Sequence, residues 1–568
     1  MKNQKTIFNT LFIITLIILS LIMFYFINQK EGFHEDEIFS YGSSNYKYDN
    51  VFQAAAHMDS RNRAIEKYII GDDLSQTIKN IVYYSKNSKE FSDLVWKIMS
   101  QDKPIWKTPE DAKNYLSVTS DEILSLGAVY YNQARDVHPP LFYFLVHIVS
   151  ILFLNNFSKY IIFTINLGFF IGICILLRKI LKLYNKEKLS IPTIILYGAS
   201  IGAISTVIFQ RMYTMLAFFC VYYLYINLKI IKNEFIIDKK LQKELVIIII
   251  LGFLTQYYFC IYAVFVFICM LLKMIKDKNK ENYIKYLIGH IKAAIIGIVI
   301  FPPSIYHIFF SYRGVGNSNN VNIIEKTIFY LKEVLNSYSL NNSIGYLFIT
   351  IATIIILTLI IKNRKEIKEK FIGVLLIVPI ILFIIVVSKI SPNVNSKYTI
   401  RYVTAILPVI ALSVILILDK LITNRKLSNI IAISFSIIIS ILGLAYNEPK
   451  YLYKGYSEYL ELAEQYKDLD FVYMCDNGFT HINSLPEFMI YNKSMIININ
   501  HDKLDFLLAE PELQKQEQFI LSIKKWMNVD EVLRNVLEKT GFNECEVLLD
   551  DNGDFNSIIY LIKKSPNL

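Results

Sequence analysis

Four short segments of this sequence carry ionisable residues of types that could do chemistry together. His34-Glu35-Asp36-Glu37 sets one imidazole and three carboxyl groups on consecutive positions, and Asp136-Val137-His138-Pro139-Pro140-Leu141 adds another acid and another imidazole. Gln210-Arg211-Met212-Tyr213 and Arg401-Tyr402 each bring a guanidinium close to a phenol. Carboxylates accept protons from attacking nucleophiles, and imidazoles donate or accept hydrogen bonds near neutral pH. Guanidinium groups hold phosphate and stabilise charge as it develops on a leaving oxyanion. Two carboxylates together are also hard oxygen ligands for a divalent ion. Pro139 and Pro140 restrict the backbone, so Asp136 and His138 are presented at the start of the helix that follows.

What must hold these groups is a membrane-embedded frame. Of 568 residues, 54% are hydrophobic, which excludes a purely soluble protein. Uncharged runs such as 191–209 and 371–387 come close to the ~20 residues needed to cross a bilayer core. A first span runs from about Ile7 to Ile27, with Lys2 and Lys5 before it and no small-residue cleavage pattern after it. It reads as an uncleaved anchor with a cytoplasmic N-terminus. Further hydrophobic segments follow at about 160–177, 191–209, 213–228, 245–258, 259–272, 286–303, 344–361, 371–388, 403–418 and 428–446, making eleven spans.

Charge sets the sides. With eleven spans, the short segments assigned to the cytoplasm hold 25 Lys and Arg against nine Asp and Glu, a sum of +16 within a chain of formal charge +10. This is the positive-inside pattern, and counting Pro139 to Leu154 as a further span would invert it for every later loop. That stretch has only sixteen residues and begins with two prolines, so it reads as a helix lying at the outer interface. The outward parts are then the loop 29–159, a loop from Ser304 to Ser343, and the tail from about Asn447. The basic balance belongs to topology and does not suggest nucleic acid.

The fold class is mainly α, a polytopic bundle at 1–446 followed by a small extracytoplasmic α/β domain at 447–568. In the tail, strand-like runs occur at 471–475, 495–499, 519–523, 546–549 and 557–562, with helical patterns at 457–467 and 529–539. Asp550-Asp551-Asn552-Gly553-Asp554 reads as a hairpin turn between the last two strands. The tail has no glycine-rich phosphate loop and reads as a packing or acceptor-docking module. Four of the six cysteines lie in spans as small apolar packers, while Cys475 and Cys545 face outward, as free thiols or as a disulfide. Span interiors contain no Asp or Glu, which disfavours an ion-coupled transporter.

The acid pair Asp36-Glu37 directly after the first span, followed by Asp136-Val137-His138-Pro139-Pro140-Leu141 before the second, resembles the protein O-mannosyltransferases and their bacterial relatives, glycosyltransferase family 39 of the GT-C superfamily. Arg211-Met212-Tyr213 is similar to the Arg-x-Tyr element of the bacterial members, and Arg401-Tyr402 to another of their outer-face elements. Leu141 is followed by Phe142-Tyr143 where the eukaryotic enzymes carry Gly-Lys, and sugar and acceptor stay open. The resemblance implies a membrane glycosyltransferase that moves a sugar from a polyprenyl-phosphate donor to an extracytoplasmic acceptor, with inversion at the anomeric carbon. Such chemistry needs a base for the hydroxyl proton, for which Asp36 is the candidate, and cations for the departing phosphate, for which Arg211 and Arg401 are candidates. Tyr213 and Tyr402 join them as substrate-binding candidates. His138 would hydrogen-bond phosphate or acceptor. Asp136 would orient His138, or join Glu37 in holding a divalent metal ion. The contrasting reading is a non-enzymatic envelope protein, either a lipid-glycan exporter or a scaffold.

The charge asymmetry yields a direct test of topology. Single cysteines at Asn185, Asn279 and Asn363 should be shielded from an impermeant thiol reagent in intact cells, whereas cysteines at Asn50 and Asn552 should react. Labelling at Asn185 from outside would instead make Pro139 to Leu154 a crossing helix.

Overall fold

The computed structural model describes residues 2–46, 63–101, 104–309, 322–338, 367–391, 398–475, 481–498 and 511–565. Within these residues eight helices are long and apolar enough to cross a membrane: Gln4–Asn28, Lys159–Leu183, Tyr213–Lys232, Tyr258–Lys276, Lys280–Ile300, Phe371–Ile390, Thr404–Leu421 and Arg425–Tyr446. The expected span at 191–209 is a broken one, with the pieces Glu187–Gly198 and Ile201–Ile208 bent by 67°. Ser200 makes the break, because its hydroxyl both donates to the Tyr197 carbonyl (2.6 Å) and accepts from the Ala203 amide (3.2 Å), ending one helix and capping the next. The expected span at 245–258 overlaps the 17-residue helix Lys239–Thr255 but runs three residues past its end, and that helix is not among the eight. The expected span at 344–361 lies outside the described residues. The count of eleven therefore stands as a sequence expectation, against eight clear spans and one bent one.

The first helix, α1 (Lys2–Asn28), leads into α2 (Glu35–Asn45), which starts only seven residues later. Pro139 to Leu154 forms α3 (Leu141–Ser150) and a short 3-10 turn at Ile151–Phe153. α3 buries Phe142, Tyr143, Val146 and His147 and exposes Ile148, while Leu152 and Phe153 beyond it are exposed too. At ten residues it is too short to cross. α2 packs along α3, with the His147 Nδ1 2.8 Å from the Ser44 carbonyl, and is also tied to the preceding helix Leu126–Arg135, from which Asn132 donates to the Tyr46 carbonyl at 2.8 Å.

Among the described residues the tail carries five strands: β2 (Phe471–Cys475), β3 (Ser494–Asn498), β4 (Gln518–Lys524), β5 (Glu544–Asp550) and β6 (Ser557–Lys563). A sixth, β1 (Trp106–Lys107), comes from the long loop after α1 and pairs antiparallel with β3. The sheet order is β1-β3-β2-β4-β6-β5, with β3, β2 and β4 parallel and β5-β6 an antiparallel hairpin. β2 is buried along its whole length, as a strand covered on both faces should be. Phe471, Tyr473 and Cys475 join the core of the helical body, while Val472 and Met474 join a second core with Val532 and Val536 from the helix Val529–Thr540. Neither Cys475 on β2 nor Cys545 on β5 forms a disulfide. Two strands lie between theirs, a separation of roughly 14 Å at strand spacing, which no disulfide spans.

Gly42 fixes how closely α2 approaches its neighbour, since a Cβ there would lie 2.0 Å from the Tyr115 ring. Gly42→Ala should therefore lower thermal stability by about 1–3 kcal/mol in detergent-solubilised protein. Gly127→Ala, where nothing lies within 4 Å, should leave stability unchanged or raise it by up to about 1 kcal/mol.

Candidate functional site

The site is assembled at the start of α2. His34 is the N-cap residue, and its Nδ1 accepts from the Asp36 amide at 3.0 Å. Burial, helped by nearby Arg401, Arg211 and Lys30, pushes the His34 imidazole down to about 3, against the pull of Asp36. A neutral ring with a free lone pair is what such an acceptor needs. Glu37 completes the cap by accepting from the His34 amide at 2.7 Å. The same carboxylate accepts from Lys30 Nζ at 3.0 Å and from the Gln210 amide at 2.8 Å. Both side chains of the Lys30-Glu37 pair are fully buried, and Lys30 also donates to the Tyr451 carbonyl at 2.5 Å.

Asp36, one residue earlier, faces Arg401. Arg401 Nη1 lies 2.9 Å from Asp36 Oδ2, and Arg401 Nη2 donates to the Tyr402 hydroxyl at 3.2 Å. The second guanidinium, Arg211, is only 3% exposed, and its Nη1 lies 3.0 Å from the Asp36 carbonyl, the Ser40 hydroxyl and the Tyr143 hydroxyl. Its Nη2 lies 3.3 Å from His138 Nε2, while His138 Nδ1 lies 2.6 Å from Asp136 Oδ2. A guanidinium only donates and a carboxylate only accepts, so this chain requires the His138 proton on Nδ1 and a lone pair on Nε2. Asp136 thus orients His138, and His138 orients Arg211.

The structure brings Asp36, Glu37, Asp136, His138, Arg211 and Arg401 into one connected cluster. Tyr213 and Tyr402 flank it, edge to face with ring centroids 6.5 Å apart, and Tyr258 meets Tyr402 at 5.6 Å. The suggested metal pair of Glu37 and Asp136 is a different matter. Glu37 is taken up by Lys30 and two amides and Asp136 by His138, so the two are not arranged to share an ion. Among the described residues no group of three or more His, Cys, Asp or Glu is placed to hold a metal.

Several residues that matter here were not apparent from sequence. Lys30, Ser40 and Tyr143 hold the pieces together, and the helical spacing of Ser40 from Asp36 was the one local signal. His307 bridges Tyr257, whose hydroxyl lies 3.0 Å from Nδ1, and the Ala134 carbonyl, 3.1 Å from Nε2, bracing the segment that carries Asp136. Glu35 also gained meaning: burial and the neighbouring Asp36 push its carboxyl up to about 7, opposed by Lys524 and Arg401.

No family model matches this sequence, and no curated protein sequence does either. Among solved structures, the crystal structure of ArnT from Cupriavidus metallidurans bound to undecaprenyl phosphate aligns with a TM-score of 0.45 at 11% identity, covering 74% of this chain and 87% of that one. The oligosaccharyltransferase of Archaeoglobus fulgidus, in a complex with Zn and sulfate, aligns with a TM-score of 0.41 at 13% identity, covering 71% of this chain and 61% of that one.

The raised Glu35 carboxyl makes a signed prediction. Its folded value of about 7 lies above the ordinary 4.5, so the folded state is penalised fully above pH 7, progressively less as pH falls, and not at all below about pH 4.5. Glu35→Gln, which mimics the protonated acid, should be more stable than the parent above pH 7, by up to about 3 kcal/mol. Thermal melts across pH 4 to 8.5 should show that advantage fading on acidification.

Proposed function

We propose that the chain is a membrane glycosyltransferase that moves a sugar from a polyprenyl-phosphate donor to a hydroxyl acceptor on the outer side of the membrane. The observation that carries this reading is the contact of the Asp36 carboxylate with Arg401, beside Arg211 and the Asp136-His138 pair, at one end of the helical bundle. The polyprenyl chain of such a donor lies in the bilayer and its phosphate at the surface, and Arg211 and Arg401 stand just before the span helices Tyr213–Lys232 and Thr404–Leu421, at the ends that the expected topology puts outside. The acceptor oxygen attacks the anomeric carbon, and its proton passes to Asp36. The bond between that carbon and the phosphate oxygen breaks, with its electron pair leaving on the lipid phosphate. A single displacement of this kind inverts the anomeric centre.

The Asp36 carboxylate is in contact with Arg401 in the structure. An arriving donor phosphate competes for Arg401 and frees the Asp36 oxygen for the acceptor hydroxyl. Arg211 cannot release its partners so easily, being held by Tyr143, Ser40 and His138. It acts as a fixed cation towards which the phosphate charge develops. Glu37 is a positioning residue in this reading, since both its oxygens accept from protein donors.

Purified protein with a synthetic polyprenyl-phosphate sugar tests the assignment, once lipid-linked sugars from cells with and without the gene have identified the donor. Asp36→Asn should slow transfer by ~10²- to 10⁴-fold with donor binding largely kept. Arg211→Ala should raise the donor requirement and slow transfer together, because it removes binding and charge stabilisation at once. Normal transfer by Asp36→Asn would remove Asp36 from the role of base.

A further inference from the structure

Helices Lys239–Thr255 and Tyr258–Lys276 are joined by a two-residue turn, Gln256-Tyr257. The hairpin closes tightly, since a Cβ on Gly252 would lie 2.6 Å from the Phe259 ring. Gln256 is extended and ends the first helix, and its Oε1 accepts from the Tyr257 amide at 2.6 Å, serving a donor that no helical carbonyl reaches. The first of these helices also packs against α3, which begins just after His138-Pro139-Pro140.

From this turn two side chains reach opposite sides of the Asp36 cluster. The Tyr257 hydroxyl donates to His307 Nδ1 at 3.0 Å, and His307 Nε2 donates to the Ala134 carbonyl at 3.1 Å, two residues before Asp136. Tyr258 meets Tyr402 at 5.6 Å and 87°, and Tyr213 meets the same ring at 6.5 Å and 84°, so two rings stand perpendicular to a third. Tyr402 accepts from Arg401 Nη2 at 3.2 Å, and Arg401 Nη1 lies 2.9 Å from Asp36. The turn thus spans from the Asp136 side to the Arg401 side. Tyr257, Tyr258, Tyr402, Asp36 and Asp136 are all only half-buried, which keeps this face of the cluster open to a ligand.

Two uncharged groups here have unspent hydrogen-bonding capacity. Gln256 is 6% exposed, and among the described residues its amide nitrogen makes no hydrogen bond. With the oxygen held by the Tyr257 amide, the two N–H groups lie on the other side of the amide plane. The half-buried Tyr258 hydroxyl likewise makes no hydrogen bond among the described residues. Polar groups taken this far out of water cost free energy until a partner takes them.

We propose that Gln256 and Tyr258, with Tyr402, form the wall that recognises the transferred sugar, and that this sugar is an uncharged pyranose. The wall begins at Arg401, where the donor phosphate is held in the proposed reaction, and the sugar is one bond away from that phosphate. Ring hydroxyls both donate and accept, so they match an amide N–H pair and a phenol. The perpendicular rings offer apolar surface to the C–H faces of the pyranose. The wall itself carries no cation for a sugar carboxylate and no anion for a sugar ammonium. A site built to hydrogen-bond hydroxyls discriminates by leaving its own buried groups unpaired when the wrong ligand enters. This inference rests on the glycosyltransferase reading and names the class of sugar for it.

The test uses full-length protein in nanodiscs and measures the affinity for bare polyprenyl phosphate and for polyprenyl-phosphate glucose, galactose, mannose and glucuronic acid. At least one of the three hexose donors should bind the parent about tenfold tighter than the bare lipid phosphate, and the glucuronic acid donor should gain nothing. Gln256→Glu keeps the acceptor for the Tyr257 amide and removes the N–H donors, and Tyr258→Leu removes the ring. Both variants should lose most of the sugar-dependent gain while binding the bare lipid phosphate as the parent does, with melts on the same samples reporting the fold. The wall is overturned by a parent that gains nothing from any hexose or gains equally from glucuronic acid, or by folded variants that keep the gain. An equal loss for the bare lipid phosphate also overturns it, because the turn would then be a prop for the phosphate site. Sugar transfer is assayed on the same preparations. Transfer with the gain unaltered in the variants defeats the wall alone, whereas a gain lost in the variants without any transfer by the parent defeats the transferase reading and leaves the sugar-binding wall standing.

Discussion

A buried ion pair organises this molecule. Removing Lys30 and Glu37 from water costs several kcal/mol per ion, and only a complete set of partners offsets it. Those partners come from distant parts of the chain: the His34 amide on the helix cap, the Gln210 amide after the broken span, and the Tyr451 carbonyl at the entrance to the C-terminal domain. Gln210 is itself anchored, with its side-chain oxygen 2.6 Å from the Tyr41 hydroxyl and its side-chain amide donating to the Lys159 carbonyl at 3.0 Å. One carboxylate thus ties the end of α1, the start of α2, the Arg211 turn and the tail into a single register. Asp36 and Arg211 meet because their neighbours Glu37 and Gln210 are bonded.

The charges around that register are matched in pairs. Asp36 answers Arg401, and Asp136 reaches Arg211 through His138. His34 stays neutral between them, since burial together with Arg401, Arg211 and Lys30 outweighs the pull of Asp36. Glu35 is the member left over, and its carboxyl is raised first by burial and then by the charge of the neighbouring Asp36.

Much of this was legible in the sequence, for physical reasons that can be stated. The α/β tail was readable because short β-branched and aromatic runs alternate with polar turns; β2 was placed on its observed residues, Phe471–Cys475, and Asp550 to Asp554 joins β5 to β6. The Asp136-His138 contact was readable because two prolines fix the backbone beside it. The break at Ala199-Ser200 was not, because a serine hydroxyl turning back on its own backbone leaves hydropathy unchanged. Lys30 was not, because a lone lysine after a span has the appearance of a headgroup anchor. β1 was missed because two residues carry no periodicity. Glu37 looked like a reactive acid or metal ligand by position alone, and only the approach of Lys30 and Gln210, the latter 173 residues away, reveals it as a fastening.

The claim that this fastening sets the site is tested most directly by a double-mutant cycle on Lys30→Met and Glu37→Leu, reading both thermal stability and the rate of the proposed sugar transfer. Each single change strands a buried charge and should cost about 3–5 kcal/mol, while the double change should recover most of that stability, as apolar replacements of buried pairs do. Transfer should stay low in the double variant, because the leucine side chain that replaces Glu37 cannot accept from the His34 and Gln210 amides that place Asp36 beside Arg211. Additive losses of stability, or transfer restored to the parent rate in the double variant, would contradict the account.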